Sequence, residues 1–377
     1  MRSHNPRRPS AGSILARLAP LALLLLALTA TPSAATQQEG VTETYRLRGA
    51  SVAVHNVAGR VEVVRGEGEE VRVEVTRMGP DSARLSAATG VIDGRQTLRV
   101  LYPEDEDRVV YPEGEHEAEI PGFLRWLGID LETGIEVRDD GRLGDDGRDV
   151  EVVSSGDGLH AWADIRVLVP AGQQVAVHNG VGRARVSDVE GVVVVDIHSG
   201  PVNADGVRGS LTVDTGSGSV RAASIGGELA IDTGSGSVRL DGVNASRVSV
   251  DTGSGSVEGV RIETESLLVD TGSGGVDLRA VSARELEIDT GSGSVDVELL
   301  ADLDRGVIDT GSGGVDLVVP ADFGARLVLE TGSGGIDVEL PARDVQAERG
   351  RWTGTVGDGD GTLDVDTGSG GIDVRRG

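Results

Sequence analysis

The sequence predicts an all-β protein, a single-stranded β-solenoid (a β-helix, with right-handed winding expected) whose coils run about 18–21 residues. Three observations carry this: a motif that recurs at a near-constant period, apolar residues alternating with polar ones on both sides of it, and no long run of apolar residues at helical spacing. The motif is Asp-Thr-Gly-Ser-Gly. It opens at Asp214, Asp232, Asp251, Asp270, Asp289, Asp309 and Asp366, and with Glu in place of Asp at Glu330. Successive starts lie 18, 19, 19, 19, 20, 21 and 36 residues apart. Degraded copies begin at Asp196 and His178.

With the acid as position 0, apolar columns stand at −3 (Leu211, Leu229, Val248), −1 (Val213, Ile231, Val250), +6 (Val220, Val238, Val257), +8 (Leu240, Leu278, Val297) and +11 (Ile225, Val243, Ile262). Polar residues lie between the paired columns, so each unit holds at least two short half-buried strands, with glycines at the bends. No single unit buries its apolar side; stacked units do, like residue above like at about 4.8 Å per coil. Ten coils from His178 onward would extend about 45–50 Å. The last, 36-residue gap fits one coil plus an insertion, or two coils with one degenerate; residues 342–361, which contain Trp352, read as the insertion.

Upstream, Val52-Ala53-Val54-His55-Asn56 echoes Val175-Ala176-Val177-His178-Asn179, so degenerate coils are expected within 36–102. Residues 103–158 break the pattern with acidic runs such as Glu104-Asp105-Glu106-Asp107 and read as an insertion on the flank. Its one aromatic cluster, Phe123, Leu124, Trp126 and Leu127, is expected to pin the insertion to the solenoid, with an exposed partner-binding hook as the alternative. Regular repeats then fill 159–377.

Residues 1–35 read as an export signal: Arg2, Arg7, Arg8 and Arg17, then the apolar run Leu18–Ala30, then Ser33-Ala34-Ala35. The run is too short to span a bilayer, so no transmembrane segment is expected once the signal is removed. The expected location is outside the cytoplasm, in the periplasm or at the cell surface. The chain has no cysteine, so disulfides play no part there. Its 377 residues carry a net charge of −27; setting aside the four arginines of 1–35 leaves 31 Arg against 62 acids, 31 − 62 = −31. Such a balance excludes nucleic acid as a partner and favours cationic ones.

The segments Gly59-Arg60-Val61-Glu62-Val63, Glu70-Val71-Arg72-Val73-Glu74 and Ile165-Arg166-Val167-Leu168-Val169-Pro170-Ala171-Gly172, with the repeated Ser-Gly-Ser/Gly-Val turns, carry a resemblance. Over about 41–102 and 160–377 the chain resembles the toast-rack adhesin family of bacterial envelope proteins. The resemblance implies a β-helical, exported, non-enzymatic protein with no catalytic residues to transfer. Related domains occur in envelope-stress signalling. The length of 103–158 and the regularity of the Asp-Thr-Gly-Ser-Gly repeats depart from the family pattern.

Asp-Thr-Gly-Ser is also the aspartic-protease signature, but those enzymes need two aspartates face to face sharing a proton. Copies at a solenoid period form a ladder instead, and the motif Asp is expected to accept backbone N–H bonds from its own turn. Two acidic columns follow, one from Asp214 to Asp366 and one through Asp277, Asp296, Asp316, Asp337 and Asp373. A solvated face is the expected reading, with weak calcium binding the alternative; no other cofactor is expected. His55, His178 and His198 sit at turn positions; His178 and His198, near one coil apart, are spaced so that they could stack, His55 is far off in sequence, and satisfied turn histidines are the expected reading over a metal site.

The functional expectation is an adhesin-like binding or scaffold protein of the envelope, acting on an unidentified surface ligand through its long faces. The alternatives are an accessory or sensor in envelope-stress signalling and, less favoured by the charge and the scarce aromatics, a polysaccharide-processing β-helix enzyme. No catalytic, cofactor-binding or metal-ligating residue is assigned. Exposed terminal edges predict edge-to-edge homodimers.

Overall fold

The computed structural model describes residues 40–92, 94–113, 118–120 and 150–377. The export signal and the aromatic cluster Phe123–Leu127 lie outside them. Among the described residues nearly all regular structure is strand, with one short 3-10 turn at Ser82–Arg84. No helix among the described residues is long and apolar enough to cross a membrane.

One coil shows how the sequence folds. After the turn at Gly216–Ser219, Val220–Ala223 forms a short strand, Ser224 takes a left-handed conformation (φ 53°) at a corner, and Gly226–Thr233 forms a longer strand leading to the next turn. Each strand pairs parallel with its counterpart in the neighbouring coil, residue over like residue: Val220 on Val238, Leu229 on Val248, Ile231 on Val250. The corner recurs at Asp188, Gly206, Gly242, Arg261 and Ala280, all with positive φ. In the middle of the stack the chain stays extended through the corner, giving strands Val238–Thr252, Val257–Thr271 and Val276–Thr290.

The five apolar columns point inward, except that at +11 the column read as Ile225, Val243, Ile262, Val281 and Leu300 ends at Val281: the register shifts, Leu299 is buried in its place and Leu300 is 56% exposed. Leu211, Val213, Val220, Ala222 and Ile225 are at most 1% exposed, and so are their counterparts Val248, Val250, Val257 and Ile262. The column at −3 is interrupted by Gly306, but the methyl groups of Leu303 and Leu363 fill the space where its Cβ would lie.

The order of coils departs from the order of the sequence at both ends. At the C-terminal end, Arg305–Thr310 pairs with Gly361–Thr367, which pairs on its other side with Ala325–Thr331. The companion strand Ile372–Arg376 likewise lies between Val315–Val319 and Ile336–Glu339. The last coil of the sequence is therefore the penultimate coil of the stack. The expected insertion at 342–361 is a hairpin, Ala342–Glu348 with Arg351–Val356, that lies antiparallel on Ala325–Thr331 and closes this end.

The other end is built the same way. Ser51–Ala58 pairs in register with Gln173–Val181, so the echoed segments are neighbours in space although far apart in sequence. Val61–Arg65 lies between Ala184–Ser187 and Trp162–Val169. Antiparallel strands finish this end: Val71–Met78 and Val41–Leu47 beyond Trp162–Val169, and Ser86–Ile92 beyond Arg95–Leu101. Residues 41–47 are thus an antiparallel border strand rather than part of a coil.

The described part of 103–158 includes a separate small sheet, Arg108–Val110 with Val150–Val153 and Ala118–Ile120. Tyr111 is buried with its ring 5.7 Å from that of Trp162, and the Arg60 guanidinium donates to both carboxylate oxygens of Glu113 at 2.8 and 2.6 Å. These contacts seat the sheet against the first coil.

Candidate functional site: two ladders from one motif

Adjacent residues of the motif face opposite ways. Because −3 and −1 point inward, the strand's two-residue period sends +1 inward and position 0 outward. Thr215, Thr233, Thr252, Thr271, Thr290, Thr310 and Thr367 are at most 1% exposed. Each hydroxyl serves two coils. The Gly255 N–H donates to Thr252 Oγ1 at 3.0 Å, and Thr252 Oγ1 donates to the Gly236 carbonyl of the preceding coil at 3.2 Å. The pair of bonds repeats through Thr271, Thr290, Thr310, Thr367 and finally Thr331, whose hydroxyl reaches Gly370. The turn is therefore held by the threonine, not by the aspartate as expected. In the first two coils Asn56 and Asn179 take over: Asn56 Nδ2 donates to Asn179 Oδ1 at 3.0 Å and Asn179 Nδ2 to the Gly59 carbonyl at 3.0 Å.

The turn glycines are needed for closeness. A Cβ on Gly236 would lie 1.9 Å from the Gly218 carbonyl oxygen, and one on Gly255 1.9 Å from that of Gly236. Backbone stacks on backbone here with no room for a side chain.

The outer column runs in register through Asp196, Asp214, Asp232, Asp251, Asp270, Asp289, Asp309, Asp366 and Glu330. Both ends are met by basic groups. His178 Nδ1 lies 2.9 Å from Asp196 Oδ2, and Arg351 pairs with Glu330. Between those ends, the seven aspartates from Asp214 to Asp366 make no ion pair among the described residues. Their crowding shows in their titration. Burial first, then Asp196 and Asp232, holds the Asp214 carboxyl above the usual range. Burial followed by two flanking aspartates does the same to Asp270 and Asp309.

The second column is compensated at three places. It changes sign, from Arg221 and Arg239 to Glu258, Asp277, Asp296, Asp316, Asp373 and Asp337. Arg239 bonds Glu258, Arg279 bonds Asp277 at 2.9 Å, and Arg375 lies 3.6 Å from Asp316. Asp296 is raised by burial and by Asp316.

The stacked histidines are His55 and His178, with ring centroids 4.4 Å apart and planes 13° from parallel; His198 is not one of them. His55 is 3% exposed, and its Nδ1 has no hydrogen-bond partner. Burial, then His178, Arg99 and Arg95, pushes its pKa down to about 2. It is a neutral end-piece to the acidic column.

Chemically, this geometry offers rows rather than a centre. Among the described residues no three His, Asp or Glu side chains converge as a metal ion requires. The expected calcium ligands of the two columns lie in line, coil above coil. Two concave places among the described residues are shallow. One is lined by Ser219, Arg221, Ser237, Arg239 and Glu258, another by Val243, Arg261, Glu263, Ser282 and Leu300. Each holds serine and glutamate, but no serine–glutamate hydrogen bond joins them among the described residues.

A parallel β-solenoid with an inner hydroxyl ladder and outer charged rows is the class of protein these features define. Residues 164–375, more than half of the chain, match the Toastrack DUF4097 model, and the chain belongs to that family. No curated protein matches it in sequence. Among solved structures it is similar to a candidate cell adhesion protein from Clostridium sporogenes (10% identity, 90% of this chain and 100% of that one, TM-score 0.21). It is also similar to a candidate lipid-binding protein from Parabacteroides distasonis (13% identity, 90% and 97%, TM-score 0.40) and a candidate adhesin from Bacteroides fragilis (11% identity, 90% and 98%, TM-score 0.32). Scores this low carry nothing about function.

Proposed function

We propose that the chain is an exported, non-enzymatic binding or scaffold module of the cell envelope, adhesin-like in that it engages a surface ligand along its faces. The observation that supports this reading most is the uninterrupted outer column. Seven exposed carboxylates stand in register at about 4.8 Å intervals with no compensating cation between them. Such a row favours cationic over anionic ligands, and rewards a ligand that is itself extended and repetitive. Membership of the Toastrack family and the shallow surface are in keeping with it.

The test is protease shaving of intact host cells, with released peptides identified by mass spectrometry. Peptides from 103–158 released from unbroken cells are the expected result. Release only after the envelope is opened would move the protein inside it and favour the accessory or sensor role in envelope-stress signalling. Finding the chain only with cytoplasmic proteins would overturn the export that both readings share.

A further inference from the structure

The border strands of the stack are not equally protected. Ala342–Glu348 carries Arg343, Asp344 and Glu348, its pairing shifts register between Arg343 and Gln346, and Asp344 has φ 56°. Charges and a bulge of this kind discourage a further strand. Ile336–Glu339 carries Asp337 and Glu339, and Val41–Leu47 carries Glu43 and Arg46. Ser86–Ile92 has none of these devices. Its sequence, Ser-Ala-Ala-Thr-Gly-Val-Ile, holds no charge and no proline, and it pairs with Arg95–Leu101 over all seven residues without a register shift. Among the described residues its other side is unpaired, and Val91 is 63% exposed.

We propose that this strand pairs antiparallel with Ser86–Ile92 of a second copy of the chain, giving a two-fold symmetric dimer through a sheet continuous across both molecules. Two copies this acidic repel over much of their surface, and among these border strands Ser86–Ile92 is the one with no charged residue of its own. Antiparallel pairing about Thr89 sets Ala88 opposite Gly90 and Ala87 opposite Val91, so the exposed Val91 side chain gains an apolar cross-strand neighbour. The ends of the strand are complementary. Arg84, just before it, holds Asp105 at 2.9 Å together with Glu106. Arg95, just after it, makes no ion pair among the described residues. The two-fold axis brings Arg95 of each copy toward the Asp105 and Glu106 end of the other, twice over. The pairing does not depend on the envelope reading. Seven paired residues bury less than a permanent interface does, so the dimer dissociates on dilution.

The absence of cysteine makes the test clean. Directly opposed strand residues have Cα atoms about 4.5–5.5 Å apart, within reach of a disulfide. Thr89→Cys is therefore expected to form a covalent dimer under mild oxidation, at concentrations where Val345→Cys, exposed on the protected border strand, stays single. Light scattering of the unmodified chain should rise with concentration toward twice the single-chain mass. Thr89→Asp, which sets two carboxylates face to face, should hold the mass at one chain. A single-chain mass for the unmodified protein at every concentration, or Thr89→Cys linking no faster than Val345→Cys, overturns the proposal. Growth beyond two chains overturns its symmetry in favour of head-to-tail stacking.

Discussion

The threonine column and the aspartate column differ by one residue in sequence and by everything in environment. The inner column is buried, and each hydroxyl both accepts and donates, so its members support one another from coil to coil. The outer column is exposed, and its members repel one another. Both repeat with the same regularity. Regular recurrence in a solenoid therefore marks a position as stacked, while the sign of its contribution depends on which way the strand turns it.

The difference is broken most severely from the inside. Gly236→Ala puts a methyl group into the Gly218 carbonyl, and about 3 kcal/mol or more of stability should be lost in a denaturant titration. Thr252→Val keeps the shape but strands the Gly255 N–H and the Gly236 carbonyl. A loss of about 2–3 kcal/mol is expected by the same measurement, with Thr252→Ser losing distinctly less.

Titration separates the histidine end from the acidic middle. The His55 pKa is lowered in the folded state, so between its folded value of about 2 and the ordinary value of about 6.5 the unfolded chain binds the extra proton. Stability from this site is present above pH 6.5 and falls as pH drops. The carboxyls of Asp214, Asp270 and Asp309, raised by burial first and by their neighbours second, act the other way, and the cost of holding them charged is relieved as pH falls through their folded values. Melting temperature should therefore decline from pH 7 to 5, and His55→Leu should flatten that decline. The smallest effect is Asp270→Asn, which removes repulsion from two neighbours. It should stabilise by about 0.2–0.5 kcal/mol at low salt, and by less as added salt screens the column.

Much of this was legible beforehand. The apolar columns follow from alternation within a repeat, and the acidic column from the repeat alone. The inward threonine was also within reach, since −3 and −1 inward imply +1 inward. The attraction of Asp as a turn residue obscured it. The coil order was less accessible. Nothing local tells Asp309 to stack on Asp366 rather than on Glu330; that choice depends on the hairpin at 342–356 occupying the outer side of Ala325–Thr331. Likewise the His55–His178 stack joins residues that only the tertiary arrangement brings together.

The intercalated coil constrains local opening. Ile372–Arg376 is gripped on both sides, and the Gly377 N–H bonds the Val319 carbonyl at 3.0 Å. Its backbone amides should exchange with solvent only when two coils part. Synthesis meets the same constraint: the slot between residues 305–319 and 325–339 can be filled only once residues 361–376 have been made. Filling it is a non-local event, and without those residues two strand edges that they pair would be left open.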